Sequence, residues 1–194
     1  MIDIYVVERA KLKNDSRKDI RHIVEYILSS RLNSTSLIGM SFDEYGKPYI
    51  KKSYRTNFNY SHSKNIVAIS VVADTEDIGI DTEPLDRSVE ISKIAHSAFS
   101  ERELLKIPND KFVNAWCLKE ASVKMAGKGF IEADPSEFSI EQNQDKFLLL
   151  QGLRQIACGY TETCIYREDV ITICSSSKIE GINIILYNIA DTIY

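Results

Sequence analysis

Residues 66–84 read IVAISVVADTEDIGIDTEP, and this stretch decides the fold class. Its first part, residues 66–73, is an apolar run rich in β-branched side chains, which predicts a buried strand. A polar turn follows at residues 74–77. Residues 78–83 form a second short strand, and Pro84 ends it because proline cannot donate a hydrogen bond to a central ladder. The stretch predicts two consecutive strands with a candidate boundary between them.

Helical patterns flank this pair of strands on both sides. Residues 16–30 place their apolar side chains on one helical face, and residues 110–126 form the strongest helical segment, which ends before Gly127. Further helices are predicted at residues 88–98 and 100–107, and further strands at residues 2–6, 137–142, 146–151, 160–166, 169–174 and 182–187. The mixture predicts an α/β (α+β) fold with an N-terminal half, residues 1–76, and a C-terminal half, residues 77–194.

The composition is that of an ordinary globular protein. The chain has 194 residues, of which 44% are hydrophobic and 27% charged, so it can bury a core without cross-links. The net charge of −4 gives no overall basic field, so we expect neither nucleic acid nor a membrane as a partner. Four cysteines without a C-x-x-C pair, and a start unlike a signal peptide, predict a cytoplasmic protein with reduced thiols.

Two carboxylates lie close together on the second strand. Asp81 and Glu83 are two residues apart, so both side chains point to one face. Carboxylates on one face repel each other unless a proton or a cation lies between them, and carboxylate oxygens suit a hard cation such as Mg²⁺. The pair indicates a metal site or, as the alternative, an exposed acidic strand end beside Pro84.

The strongest helical segment contains the sequence WCLKEASVK. Trp116, Glu120 and Lys124 recur at every fourth position, so they share one helix face. Glu120 and Lys124 could form an ordinary intrahelical ion pair, worth about 0.3–0.5 kcal/mol. Alternatively, Glu120 is a third carboxylate for the metal, and Lys124, one turn further on, reaches a phosphate group.

A third signal is the sequence FNYSHS at residues 58–63, just before the first buried strand. Adjacent residues on an extended chain point to opposite faces, so Ser61 and His62 are poorly placed to act as a catalytic dyad. Donation from the hydroxyl and the imidazole to an anion fits better. Lys47, in the sequence GKP, taken alone is an exposed lysine in a turn.

The order of these signals resembles the phosphopantetheinyl transferase superfamily, most closely its larger, surfactin-synthetase-activating type. The family patterns G-K-P, N-x-S-H-S, G-[IV]-D-x-E and W-x-x-K-E-[AS]-x-x-K-x-x-G all occur in that order within residues 46–129. The resemblance implies two similar halves related by a pseudo-twofold axis, with a coenzyme A cleft between them. It also implies transfer of 4'-phosphopantetheine from coenzyme A to a serine of an apo acyl or peptidyl carrier protein, with release of 3',5'-ADP.

The resemblance further implies roles for individual residues. Mg²⁺ would be held by Asp81, Glu83 and Glu120, and catalysis would be carried by Asp81, Glu120 and Lys124, with Glu120 as the base, directly or through a water. The residues expected to contact coenzyme A are Arg17, Lys47, Ser61, His62, Asp81, Glu120 and Lys124. The family's N-terminal basic residue, which holds the 3'-phosphate of coenzyme A, has no sharp motif in this sequence, and we place it at Arg17, with Lys18 or Arg21 nearby. Glu103 matches an acidic position considered for catalysis or metal support, although an S-x-x-E capping box also explains it.

Two other functions stay open at this stage. One is a non-catalytic member of the same fold that binds coenzyme A or a carrier protein, although the complete acidic set argues against such a relic. The other is a magnesium-dependent phosphatase or nucleotidyl enzyme. The chain is also shorter than most of the larger type, which predicts trimmed loops around the carrier site. Because one chain encodes both walls of the cleft, we expect a monomer.

Overall fold

The computed structural model of the protein describes residues 1–12, 16–51, 54–73, 76–87, 90, 93–130 and 133–188. Its helices and strands are β1 (Ile2–Glu8), α1 (Arg17–Arg31), β2 (Ser41–Phe42), β3 (Pro48–Tyr49), β4 (Thr56–His62), β5 (Ile66–Ala73), β6 (Ile78–Pro84), α2 (Ala95–Ala98), α3 (Glu101–Leu104), α4 (Phe112–Ala126), β7 (Phe138–Asn143), β8 (Lys146–Gln151), β9 (Arg154–Tyr166), β10 (Asp169–Ser175) and β11 (Ile182–Leu186). In these residues, every helix is too short or too polar to cross a membrane.

The two long helices begin and end where their sequences favour it. Ser16 and Asp19 form a capping box at the start of α1, in which each side chain accepts a hydrogen bond from the other residue's backbone N–H. The last turn of α4 is followed by Gly127, whose φ of 68° is the left-handed conformation that commonly closes a helix. Both helix predictions are therefore confirmed to within a few residues at each end.

The strands form two main sheets that share one arrangement. The order is β11-β1-β5-β4 in the first sheet and β6-β10-β9-β8-β7 in the second, while β2 and β3 form a small separate ribbon. In the first sheet β1, which precedes α1, pairs antiparallel with β5. In the second sheet β6, which precedes α4, pairs antiparallel with β10, and the residues of the two strand pairs are aligned in the same way. The matching pairs are Glu8–Ile66 and Asp3–Val71 in the first sheet, and Pro84–Asp169 and Gly79–Cys174 in the second.

The two sheets pack face to face, and each carries its long helix on the outer face. The shared core between them contains Ile4, Val6, Ile80 and Ile171, all fully buried. Burial of each such side chain contributes about 1.5–3 kcal/mol. The outer face of the first sheet packs against α1, and the outer face of the second packs against α4. The layers therefore run helix, sheet, sheet, helix, as the predicted α/β (α+β) fold requires.

The structure adds detail that the sequence pattern lacks. Strand β11 lies parallel to β1, so residues 182–186 of the predicted C-terminal half belong to the first sheet. The division at residues 76 and 77 stays a prediction, and residues 74 and 75 of the proposed turn lie outside the described residues. Residues 88, 89, 91 and 92 of the predicted helix at 88–98 also lie outside the described residues. The described part of that segment contains α2. The predicted helix at 100–107 is shorter, because α3 ends at Leu104.

Candidate active site

A cleft of about 320 Å³ lies between the edge strand β4 and the second half of α4. One wall contains Ser61 and His62 from β4, together with Lys47 from the turn before β3. The other wall contains Glu120 and Lys124 from α4. The cleft thus brings together side chains from three motifs that the sequence analysis singled out separately. Its lining also includes four aromatic residues: Phe42, Tyr45, Tyr60 and Phe130.

Asp81 lies beneath this cleft and binds residues from both walls. Its side chain is buried, with the residue 4% exposed. Asp81 Oδ1 accepts hydrogen bonds from Ser61 Oγ at 2.8 Å and from Lys124 Nζ at 2.7 Å. Lys124 Nζ also lies 3.6 Å from Glu120 Oε2. Buried charges require partners of this kind, so Lys124 joins the two carboxylates electrostatically.

The acidic side chains affect one another's ionisation. Burial, helped by the charges of the Asp81 and Glu83 carboxylates and opposed by Lys124, raises the pKa of Glu120 to about 7. Burial also raises the pKa of Glu83, and Asp81 adds to that rise, whereas the hydrogen bond from Arg87 opposes it. A carboxylate whose pKa lies near neutrality can accept a proton in one step and release it in another.

The donor set suits a hard cation in its chemistry, but the described residues do not present a ready-made site. Asp81 Oδ2 is buried and receives no oxygen or nitrogen donor from the part of the chain that the structure describes. A buried carboxylate oxygen without a donor is unfavourable unless a cation or a proton approaches it. Nowhere in the described ranges do three or more His, Cys, Asp or Glu side chains converge closely enough to hold a metal. Lys124 pairs with Asp81 and Glu120, and Arg87 pairs with Glu83.

Glu103 lies away from the cleft and has a structural partner that sequence reasoning missed. Its Oε2 accepts hydrogen bonds from Lys119 Nζ at 2.7 Å and from the backbone of Ser100 at 2.8 Å, while Oε1 accepts from Ile140 N at 3.0 Å. Lys119 is fully buried and also donates to the carbonyl of Phe138 at 2.8 Å. The pair ties α4 to α3 and β7. The sequence indicates this pair only indirectly. Lys119 directly precedes Glu120, so its side chain points about 100° away from that of Glu120 around the helix.

Three of the residues expected to contact coenzyme A, namely Lys47, His62 and Arg17, differ in their positions relative to the cleft. Lys47 Nζ donates to Asp77 Oδ1 at 2.9 Å and to the carbonyl of Met125 at 3.0 Å, so it spans the end of the cleft. His62 is exposed at the cleft, and its Nδ1 lies 3.5 Å from a guanidinium nitrogen of Arg9. Arg17 is exposed on the first turn of α1 and is not among the residues that line the cleft. Its role stays a prediction, whereas Arg9 is a cation near His62 that no motif indicated.

The comparisons with known proteins match one family. The family model described as the 4'-phosphopantetheinyl transferase superfamily matches residues 77–174, a range that contains Asp81, Glu83, Glu120 and Lys124. A 4'-phosphopantetheinyl transferase of Bacillus subtilis is 36% identical over 114 residues, which cover 55% of this chain and 50% of that protein.

More distant relatives carry the same description. The 4'-phosphopantetheinyl transferase psf-1 of Bacillus pumilus is 30% identical over 151 residues, covering 71% of this chain and 61% of that protein. The 4'-phosphopantetheinyl transferase HetI of a Nostoc species is 29% identical over 131 residues, covering 62% and 55%. The chain therefore spans about half to three fifths of the length of the curated relatives it matches.

Proposed function

Because this chain belongs to the 4'-phosphopantetheinyl transferase superfamily, we propose that it transfers the 4'-phosphopantetheine group of coenzyme A to a serine of an apo acyl or peptidyl carrier protein, with Mg²⁺ as the cofactor. The observation that carries the proposal is the cleft, where Ser61 and Lys124 both reach Asp81 from opposite walls. Cations and acids meet there within hydrogen-bond distance. Such a site suits a reaction in which several phosphates are held and one phosphoryl bond is exchanged.

Coenzyme A is anionic at its pyrophosphate and its 3'-phosphate, so its binding requires donors. Lys47, Ser61 and His62 supply donors on one wall, and Lys124 supplies an ammonium group on the other. The aromatic side chains of the cleft offer flat apolar surfaces for the remainder of the molecule. Arg17 remains our candidate for the 3'-phosphate, together with His62.

Mg²⁺ would be held by Asp81 and Glu120, with Glu83 contributing directly or through water. When bound, it would neutralise charge on the pyrophosphate oxygens. Asp81 Oδ2, which is buried without a nitrogen or oxygen donor in the described residues, is the atom best suited to such a ligand. The same role explains why a protein would gather acids whose burial raises the pKa values of Glu83 and Glu120.

The chain's own residues then move the proton and stabilise the leaving group. Glu120, directly or through a water, accepts the proton of the carrier serine hydroxyl, whose oxygen attacks the phosphorus next to pantetheine. The bond from that phosphorus to 3',5'-ADP breaks, and Lys124 stabilises the charge on the departing phosphate. A pKa near 7 keeps much of Glu120 ionised at neutral pH, as a base must be.

We propose direct transfer without a covalent enzyme intermediate. The Ser61 oxygen accepts a hydrogen bond from the Lys124 ammonium at 3.3 Å, which withdraws electron density from it, and burial raises the pKa of the Cys117 thiol well above its usual value, so neither side chain is a good nucleophile. Kinetics should therefore be sequential, with intersecting double-reciprocal lines, and Ser61→Ala and Cys117→Ala should keep substantial activity. Isolation of a phosphopantetheinylated enzyme that passes its group to a carrier would refute direct transfer.

Release of 3',5'-ADP from coenzyme A, measured with and without an apo carrier, separates the three functions. The proposal predicts release that needs both Mg²⁺ and the carrier. Binding of coenzyme A without any turnover indicates the non-catalytic alternative. Turnover without a carrier indicates a nucleotidyl enzyme if 3',5'-ADP is released, or a phosphatase if inorganic phosphate is released. We further propose a cytoplasmic monomer whose halves are related by a pseudo-twofold axis. Light scattering that shows an obligate trimer would contradict the monomer.

A further inference from the structure

Gly79 is the second residue of β6, and no side chain fits at its position. A Cβ atom there would lie 2.0 Å from the carbonyl oxygen of Ala121 and 2.5 Å from the backbone nitrogen of Met125, both on α4. Real Cβ atoms essentially never come within 3.0 Å of such atoms. The φ of Gly79 is not positive, so the position needs a glycine for space and not for backbone conformation. The backbone of α4 therefore rests directly on the backbone of β6.

This contact lies at the site itself. Ala121 directly follows Glu120, Met125 directly follows Lys124, and Asp81 is two residues beyond Gly79 on the same face of β6. The contact between α4 and β6 therefore lies next to Glu120, Lys124 and Asp81, the residues that the proposed site must bring together. Lys124 Nζ reaches Asp81 Oδ1 at 2.7 Å across this contact.

We propose that Gly79 is a positioning residue, whose missing side chain sets the distance between α4 and β6 and thereby lets Lys124 reach Asp81 and lets Glu120 share the cation with Asp81. The proposal rests on the proposed function, because it deepens the account of the same site. Since the obstructing atoms are backbone atoms, no change of neighbouring rotamers can make room for a methyl group. The helix would have to move out by about 1 Å, and a displacement of that size costs roughly 100-fold in rate at a catalytic site.

Gly159 on β9 offers a matched control. A Cβ atom there would lie 2.3 Å from the carbonyl oxygen of Ser175 and 3.2 Å from Phe147 Cε1, so the crowding is of the same kind. Gly159 and the atoms it would meet are not among the residues that line the cleft. Gly159→Ala should therefore lower thermal stability as Gly79→Ala does, but without moving α4 relative to Asp81.

The experiment compares the wild type, Gly79→Ala and Gly159→Ala well below their unfolding midpoints. Mg²⁺ affinity is measured by calorimetry, and kcat and KM are measured with coenzyme A and an apo carrier. Gly79→Ala should weaken Mg²⁺ binding by about 10–100-fold and lower kcat by roughly 100-fold, with a smaller change in KM for the carrier. Gly159→Ala should keep both. Wild-type values in Gly79→Ala, or equal losses in the two variants, would overturn the proposal.

A second variant decides the matter if Gly79→Ala does not fold. Glu120→Asp leaves the contact intact and shortens the reach of the carboxylate by one methylene. If Gly79 fixes the helix position, Glu120→Asp should lose as much Mg²⁺ affinity as Glu120→Gln, whereas near-wild-type affinity would show that α4 adjusts and would refute the positioning role. A wild type that binds Mg²⁺ but transfers nothing contradicts only the proposed function, since the titrations still test Gly79. A wild type that binds no Mg²⁺ overturns the positioning proposal itself.

Discussion

Each of the two main sheets carries a long helix over an equivalent strand pair, but the strands beneath the helices, β1 and β6, differ in the side chains at their fourth and sixth positions. Tyr5 is the fourth residue of β1 and lies opposite Ile69, while Asp81 is the fourth residue of β6 and lies opposite Thr172. Tyr5 belongs to the apolar core under α1. Asp81 instead accepts hydrogen bonds at the floor of the cleft.

The same difference continues along the two strands. Val7 on β1 is equivalent to Glu83 on β6, and Asp3 is equivalent to Gly79. Asp3 pairs with Arg31 at the end of α1 at 3.0 Å, so that helix and strand meet through side chains. At Gly79 they meet through backbone atoms. The same strand and helix arrangement therefore supports an apolar core at β1 and a cluster of polar contacts at β6, and the difference lies in the side chains at a few equivalent positions.

The largest effect should come from removing the carboxylate that distinguishes β6 from β1. Loss of a residue that only hydrogen-bonds to a metal ligand lowers activity by up to ~100-fold. Asp81→Ala should reduce transfer by more than that, because it removes a proposed metal ligand itself. The fold should persist, since loss of one clustered carboxylate also relieves repulsion. Tyr5→Phe, the equivalent change in the first half, should leave transfer unchanged. Near-normal activity of Asp81→Ala at low millimolar Mg²⁺ would show that the metal site is misassigned.

The next largest effect concerns the buried ion pair between Lys119 of α4 and Glu103 of α3. Lys119→Met leaves the Glu103 carboxylate without its cation, and loss of one partner of a buried pair costs about 3–5 kcal/mol. Urea unfolding should show this loss. Lys119→Met combined with Glu103→Gln should recover part of it, because the buried charge is then gone. A double variant as unstable as the single variant would show that the lysine's other hydrogen bonds, to backbone carbonyls, dominate.

A smaller effect is expected for the cations and donors at the wall that the first half contributes. Lys47→Ala and His62→Ala should each weaken coenzyme A binding by about tenfold, because a hydrogen bond to a charged group contributes about 1.5 kcal/mol or more. Calorimetry with coenzyme A and with dephospho-coenzyme A tests which residue contacts the 3'-phosphate. If His62 or Arg17 does so, its alanine variant should discriminate less between the two compounds. Unchanged discrimination in both variants would remove them from that subsite.

The last predicted effect is a pH dependence of stability without divalent cations. Burial raises the pKa of Glu120 to about 7 from its usual value of 4.5, so the fold favours the protonated form. That stabilisation is complete below pH 4.5 and is lost as the pH rises through 7. With a chelator present, Glu120→Gln should therefore gain thermal stability relative to the wild type between pH 5 and pH 8. Mg²⁺ should narrow the gap at pH 8, and a gap independent of pH would contradict the burial of this charge.

The sequence alone was sufficient to predict site residues and helices that belong to local sequence patterns. The spacing of Asp81 and Glu83 on a strand, and of Glu120 and Lys124 on a helix, already placed each pair on one face, and the structure brings Asp81 and Lys124 together. Helices α1 and α4 followed from apolar periodicity and from their terminal residues. These features depend on neighbours a few positions away, which a single sequence displays.

Other features depend on contacts between distant segments. Lys119 and Glu103 are 16 positions apart, and neither of their sequence motifs indicates that the two residues pair. The parallel pairing of β11 with β1 joins the two ends of the described chain, because an alternating strand does not indicate which edge it will extend. Arg9 near His62 is likewise one basic residue among many until the fold brings them together.

The mass of an apo carrier protein, measured before and after incubation with this protein, coenzyme A and Mg²⁺, tests the proposed transfer itself. We expect a gain equal to one phosphopantetheinyl group, located on the carrier serine and absent when that serine is replaced by alanine. The gain should also disappear in a chelator and with Asp81→Ala. An unchanged carrier mass, from a folded wild-type protein that binds coenzyme A, would contradict the transferase assignment and leave a binding role for the same cleft.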